Sequence, residues 1–190
     1  MLLQIASLVV DFVGGFFVLM FLLRFYFQWL RVPFRNQLGD FVVATTRWMV
    51  NPARRVVPPL RGLDLASFAC ALIMQALVIG LKYAIAGFDF ATAPGTFVGR
   101  IFFEGFIELL IASVRILIFS VVLQAVLSWV NPDNPLQYVL DAFTRPMLRP
   151  IRRFLPPVAN VDLSPLVLIL ALLILLVPLA ELRGMAAGLF

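Results

Sequence analysis

The residues in this chain with chemistry to offer are mostly arginines. Arg145, Arg149, Arg152 and Arg153 stand among Pro146, Pro150, Pro156 and Pro157 in the stretch TRPMLRPIRRFLPPVANVDLSP, residues 144–165. A guanidinium is a permanently charged, planar donor that takes carboxylates and phosphates in a two-pronged grip, so this spacing points to recognition of anions. Basic residues beside a membrane span attract anionic lipid headgroups at roughly 1 kcal/mol each, without any protein partner. The prolines stiffen the segment and reduce the entropy lost on docking, which suits a cytoplasmic or membrane protein partner as a second occupant. Arg54 and Arg55 offer a similar pair upstream.

Three isolated charges, Asp11, Glu108 and Arg115, interrupt apolar stretches. Arg115 falls roughly 14 Å along a helix from Phe106 at 1.5 Å per residue, near the bilayer middle, where an arginine costs about 2.5 to 3.5 kcal/mol. It needs an acidic partner or water. Glu108, two turns away on roughly the same face, and Asp11 are candidate partners; a dry ion pair would join helices, a span that begins later would let Arg115 snorkel, and a polar cavity would serve transport. Asp64 and Asp162 precede apolar runs, where a carboxylate can accept from the free amides of a first helical turn. Ser164 competes with Asp162 for that role, because Pro165 would then hold the favoured first helical position.

Catalysis finds no foothold. The chain has no histidine, its single cysteine, Cys70, lies in an apolar run without a neighbouring base, and no glycine-rich loop leads into a helix as a phosphate cradle. We therefore expect no enzyme, no metal site and no cofactor.

The elements that must position these residues are membrane helices. With 63% hydrophobic residues and a mean hydropathy of +1.03, the chain is far more apolar than a soluble domain needs. A span takes roughly 20 mostly apolar residues. Four stretches qualify, at about Leu2 to Leu30, Leu63 to Ala86, Gly105 to Val130 and Leu163 to Leu182. The first lacks the basic start and small-residue cleavage site of a signal peptide and is expected to stay as a membrane helix. Between spans, residues 31–62 and 131–161 are polar and proline-rich links. Each is expected to hold a short amphipathic helix, with a stripe of Leu38, Phe41, Val42, Thr45 and Met49 in one and Leu136, Val139, Leu140, Phe143 and Met147 in the other. Pro58-Pro59 and Pro156-Pro157 should end those helices. Lys82 to Glu104, with Gly87, Pro94, Gly95 and Gly99, reads as an exposed connector.

Thr46, Arg47, Pro52, Arg54, Arg55, Pro58, Pro59, Asp64 and Leu65 recur in order and spacing as Thr144, Arg145, Pro150, Arg152, Arg153, Pro156, Pro157, Asp162 and Leu163. The expected fold is thus an all-α membrane protein with four transmembrane helices as two parallel repeats, residues 1–98 and 99–190. Each repeat runs transmembrane helix, short amphipathic link helix, Pro-Pro break, transmembrane helix. Ten of the fifteen basic residues lie in the two links, which places both links in the cytoplasm and both termini on the opposite side. That topology accounts for the net charge of +5 without a direct role in binding nucleic acid.

Ser128-Trp129, Pro132, Asn134-Pro135, Thr144, Pro146, Leu148, Pro150, Arg152-Arg153, Pro156 and Asp162-Leu163-Ser164-Pro165 resemble the signature of the YggT family of small bacterial and plastid integral membrane proteins. The first copy departs from it, with Trp48, Asn51 and Ala53 in place of Pro146, Arg149 and Ile151. The resemblance implies a multi-pass protein of the bacterial cytoplasmic (inner) membrane, linked in the family to osmotic tolerance, cell-division gene neighbourhoods, nucleoid distribution and, in plastids, cytochrome maturation. Without histidine, haem would have only methionine, tyrosine or Cys70 as axial ligands. The expected function is a non-enzymatic membrane scaffold or assembly factor, and a homo-oligomer is compatible with it. The alternative is a small transporter or channel component using Asp11, Glu108 and Arg115.

A reporter active only in the cytoplasm tests the orientation. Fused after Arg61 or Arg153 it is expected to work, and at Thr92 to fail; the reverse pattern overturns the assignment.

Overall fold

The computed structural model describes residues 1–32, 37–59, 62–88, 94–131, 134–155 and 162–188. Among them there is no β-strand, and six helices account for nearly everything: α1 (Leu2–Trp29), α2 (Gln37–Val56), α3 (Leu65–Ile85), α4 (Pro94–Val130), α5 (Pro135–Phe154) and α6 (Ser164–Gly188). Four of these, α1, α3, α4 and α6, are long and apolar enough to cross a membrane. The chain is a multi-pass membrane protein.

Local chemistry sets where the helices stop. After α1, Arg31 takes a left-handed φ of 53°, its amide donates to the Gln28 carbonyl at 3.3 Å, and the Val32 amide reaches the Phe27 carbonyl at 2.8 Å. After α3, Gly87 at φ 80° makes the same turn, with the Phe88 amide on the Tyr83 carbonyl at 3.0 Å. Both are Schellman closures, which satisfy carbonyls that the helix end would otherwise strand. At α5, the Asn134 side chain accepts from the Leu136 amide at 2.9 Å and Pro135 opens the helix. Pro58-Pro59 follow the end of α2 as expected. Pro156-Pro157 lie outside the described residues.

One expectation fails. The stretch from Lys82 to Glu104 is mostly helical, because α3 continues to Ile85 and α4 starts at Pro94 rather than near Gly105. Phe97 explains it: its ring stacks on Phe88 at 5.1 Å and meets Tyr83 edge-on at 5.7 Å, so the first turns of α4 gain an aromatic anchor on the end of α3. Helix α4 is then about 55 Å long and must tilt or project from a core of about 30 Å.

The spans pack α1 on α3, α3 on α4 and α4 on α6, with α2 lying on α1 and α3, and α5 on α4 and α6. Lipid is as apolar as leucine, so helices in a bilayer associate through close fit and small residues. Helix α3 illustrates this: Ala66, Ser67, Cys70, Ala71 and Ala76 are all buried, while Ile73 and Leu77 face outward. The link helices bury a face turned slightly from the expected stripe. Val42, Thr46 and Val50, and likewise Val139, Leu140, Phe143, Thr144 and Leu148, point inward, whereas Phe41 and Met147 are exposed. The threonines tolerate burial because each hydroxyl bonds back to its own helix, Thr46 to the Val42 carbonyl at 2.6 Å and Thr144 to the Leu140 carbonyl at 2.9 Å.

At Gly14, α1 lies close against α3, since a methyl group there would overlap the Val78 side chain. Gly14→Leu should lower the unfolding free energy in detergent by about 1 to 3 kcal/mol, and Val78→Ala in the same chain should recover part of it. A Gly14→Leu protein that melts like wild type would remove that approach from the fold.

Candidate functional site

The charged residues of the first half converge on Asp64. The residue sits one position before α3, and its backbone carbonyl starts that helix by accepting from the Ser67 and Phe68 amides at 3.0 and 3.3 Å. Its side chain does not cap the first-turn amides, contrary to the sequence expectation. Arg54, at the end of α2, claims it instead, with Nη2 donating to Oδ2 at 2.6 Å and Nε to Oδ1 at 3.3 Å. The Ser67 hydroxyl adds a third donor, 2.6 Å from Oδ2. A two-pronged guanidinium with full charge outcompetes a neutral amide for a carboxylate.

Helix α1 closes the cluster from the other side. Arg24 is 5% exposed, its Nε lies 3.9 Å from Asp64 Oδ2, and its Nη1 donates to Thr46 Oγ1 at 2.8 Å. Gln28 accepts from Arg54 Nη2 at 3.2 Å. One carboxylate therefore ties α1, α2 and α3 together. Burial pushes the Asp64 carboxyl up, but the hydrogen bonds from Arg54 and Ser67 and the charges of Arg54 and Arg24 outweigh it and hold it below the ordinary carboxylate range.

The second half builds a looser version. Arg152 Nε donates to Asp162 Oδ2 at 2.9 Å, and the Ser164 amide donates to Asp162 Oδ1 at 2.9 Å. Helix α6 begins at Ser164, with the Leu163 carbonyl accepting from Leu166 and Val167, so Pro165 is its second residue. No arginine arrives from α4; Gln124 takes the threonine, its Oε1 sharing the single Thr144 hydroxyl proton with the Leu140 carbonyl while its Nε2 donates to Asp141 Oδ1 at 3.3 Å. The Asp162 side chain is 38% exposed where that of Asp64 is 1% exposed. Some burial raises Asp162, yet the bonds from Ser164 and Arg152 again leave it below its ordinary value.

The arginines read as binding pairs thus divide. Arg54 and Arg152 are held by aspartates, whereas Arg55, Arg149 and Arg153 are exposed, and Arg145 is 72% exposed with only a 4.0 Å contact to Asp141. At the other end of the spans, a cleft of about 300 Å³ is lined by Asp11, Gln75, Lys82, Tyr83, Glu104 and Glu108, among others. Its acids are matched: Asp11 to Lys82 at 3.0 Å, Glu108 to Arg183 at 3.0 Å, and Glu104 to the Tyr83 hydroxyl at 3.0 Å. Arg115 joins none of them and stands exposed on α4, so of the alternatives open to it the pair with Glu108 or Asp11 does not form.

Sequence reasoning missed Arg24, Thr46, Ser67 and Gln124. A signal existed for two: Arg24 interrupts an apolar span as Arg115 does, and Thr46 recurs as Thr144. What the cluster can do is lock helices and leave outward guanidinium groups for anions. Among the described residues no group of three or more acids or cysteines is arranged to hold a metal ion.

The family described as CCB3/YggT matches residues 3–85 and 103–182. An uncharacterised protein named YggT from Escherichia coli K12 is 34% identical over 167 residues, 87% of this chain and 84% of the relative. An uncharacterised Pseudomonas aeruginosa protein is 32% identical over 161 residues, 84% and 80% respectively. A Vibrio alginolyticus protein, described as uncharacterised and in the proC 3' region, is 31% identical over 157 residues, 82% and 83%. No solved structure matches.

Asp64→Ala should cost about 3 to 5 kcal/mol of stability, because it strands the buried Arg24, whereas Asp162→Ala should cost about 0 to 1 kcal/mol. The stabilisation from Asp64 is complete above the unfolded carboxylate value of about 3.9 and is lost as pH falls through the lower folded value. Denaturation of the solubilised protein from neutral to acid pH checks this, and an Asp64→Asn protein with the same acid limb as wild type would contradict it.

Proposed function

The chain belongs to the CCB3/YggT family, and we propose that it is a non-enzymatic scaffold or assembly factor of the bacterial cytoplasmic membrane. In this reading the two link helices lie at the cytoplasmic face and present their outward arginines to anionic headgroups and to a protein partner. The osmotic tolerance, cell division and membrane-complex maturation implied by the family resemblance are settings in which such a scaffold would act.

The observation that carries this reading is the division of labour on α5. Arg152 is engaged by Asp162, which fixes the end of the helix, while Arg145, Arg149 and Arg153 remain outward beside the exposed aromatics Tyr138 and Phe154. Helix α2 has a comparable but smaller outward set, Arg47, Trp48 and Arg55. An amphipathic helix with basic and aromatic groups on its outer side suits a membrane interface, where the arginines meet phosphates and the rings sit among headgroups. The alternative of a small transporter draws on the cleft between the spans. It is weakened by the cross-pairing of Asp11 with Lys82 and of Glu108 with Arg183, which leaves those acids already compensated.

A photo-crosslinking side chain placed at Tyr138 or Phe154 in living cells tests the scaffold. We expect lipid adducts together with a discrete protein adduct, the latter lost when Arg149 and Arg153 become Lys, which keeps the charge but removes the planar donor fork. Lipid adducts alone, unchanged by Lys and abolished by Gln, would reduce the surface to headgroup binding and sink the docking role.

A further inference from the structure

Two exposed charges inside the candidate spans of the second half meet no partner among the described residues. Arg115 in α4 and Glu181 in α6 are both exposed, and neither makes an ion pair or side-chain hydrogen bond with a described residue. Both lie inside candidate membrane spans. An arginine or glutamate facing hydrocarbon is expensive and is normally matched by an opposite charge or by water.

Their depths follow from the packing of α4 against α6. The Glu108–Arg183 pair sets the register, and the two helices run in opposite directions: Ile107 clusters with Ala186 near that pair, Val121 with Leu168 toward the link helices. Counting from the pair, Glu181 lies about 3 Å and Arg115 about 11 Å toward the link side, a difference of about 8 Å. Helical side chains lean toward the N-terminus of their own helix. Arg115 therefore leans away from the links and Glu181 toward them, so their charged ends close on a common depth.

Their directions keep them apart within one chain. Glu181 sits half a turn from Leu172, which packs toward α4, and so points away from α4. Arg115 shares its face with Phe119, 66% exposed, and Val122, 43% exposed. A second copy, rotated about a two-fold axis along the membrane normal, keeps every residue at its own depth. It can lay the outer face of its α6 against the open face of α4, bringing the partner's Glu181 to Arg115 while Glu181 meets the partner's Arg115. Such a contact is self-complementary, as a two-fold interface requires.

We propose that this protein forms a two-fold dimer through the outer faces of α4 and α6, fastened by the Arg115–Glu181 ion pair made twice across the interface. The inference stands independently of what the link helices bind.

The test uses full-length protein, labelled for energy transfer between copies, in phosphatidylethanolamine and phosphatidylglycerol vesicles across a range of protein-to-lipid ratios. Wild type should dimerise as the ratio rises. Arg115→Glu or Glu181→Arg alone should weaken dimerisation about tenfold, and the two reversals in one chain should restore it. If a reversal does not insert, Arg115→Gln and Glu181→Gln decide instead: non-additive losses support the pair. A wild type that stays monomeric, single variants that dimerise like wild type, or a double reversal no better than the singles would overturn the dimer and leave Arg115 reaching for a headgroup phosphate.

Discussion

A carboxylate withdrawn from water has to be matched by donors, and in this protein the matching of Asp64 determines how three helices meet. Arg54 brings the end of α2 to the head of α3, and Arg24 brings the C-terminal part of α1 to the same atom. Thr46 then fixes the roll of α2, because its hydroxyl accepts from Arg24 while donating to the Val42 carbonyl. Without the carboxylate, the buried Arg24 guanidinium would be left with nothing to neutralise it, a worse state than an apolar core of the same shape. The cluster therefore specifies geometry more than it adds net stability.

The second half uses the same plan with weaker materials. Gln124 replaces a charged group in front of the threonine, and Asp162 keeps its arginine while remaining partly open to solvent. The buried members of this half's network, Gln124 and Thr144, are neutral and its carboxylates are partly open to solvent, so it strands no buried charge. Burial is concentrated at the head of α3 and accessibility at the head of α6.

The remaining charges obey the economy of the bilayer. Asp11 and Lys82, and Glu108 and Arg183, are compensated across helices at the far end of the spans, where Tyr83, Phe88 and Phe97 also gather. The outward faces of α1 and α6 are otherwise aliphatic or aromatic, as contact with lipid demands. Against that background the exposed Arg115 of α4 stands out.

Four apolar runs, the basic links between them and the proline breaks are legible in the sequence because each expresses a local or one-dimensional property: length against bilayer thickness, missing amide donors, hydropathy. The YggT signature was legible for the same reason, as a string of spaced residues. The onset of α4 at Pro94 was not, since Phe97 packs on Tyr83 of α3 and on Phe88 just beyond its end. Nor were the charge pairings. Arg115 and Glu108 lie on one face and look like partners along the chain, yet Arg183, far away in sequence, reaches Glu108 first. Likewise the sequence presents Arg54 and Arg55 as one pair, and only packing assigns the first to a buried carboxylate and the second to the surface. Sequence by itself determined which segments enter the membrane, because partition depends on composition; the tertiary structure decided which charge meets which, because an ion pair depends on a distance of a few ångströms that no spacing along the chain encodes.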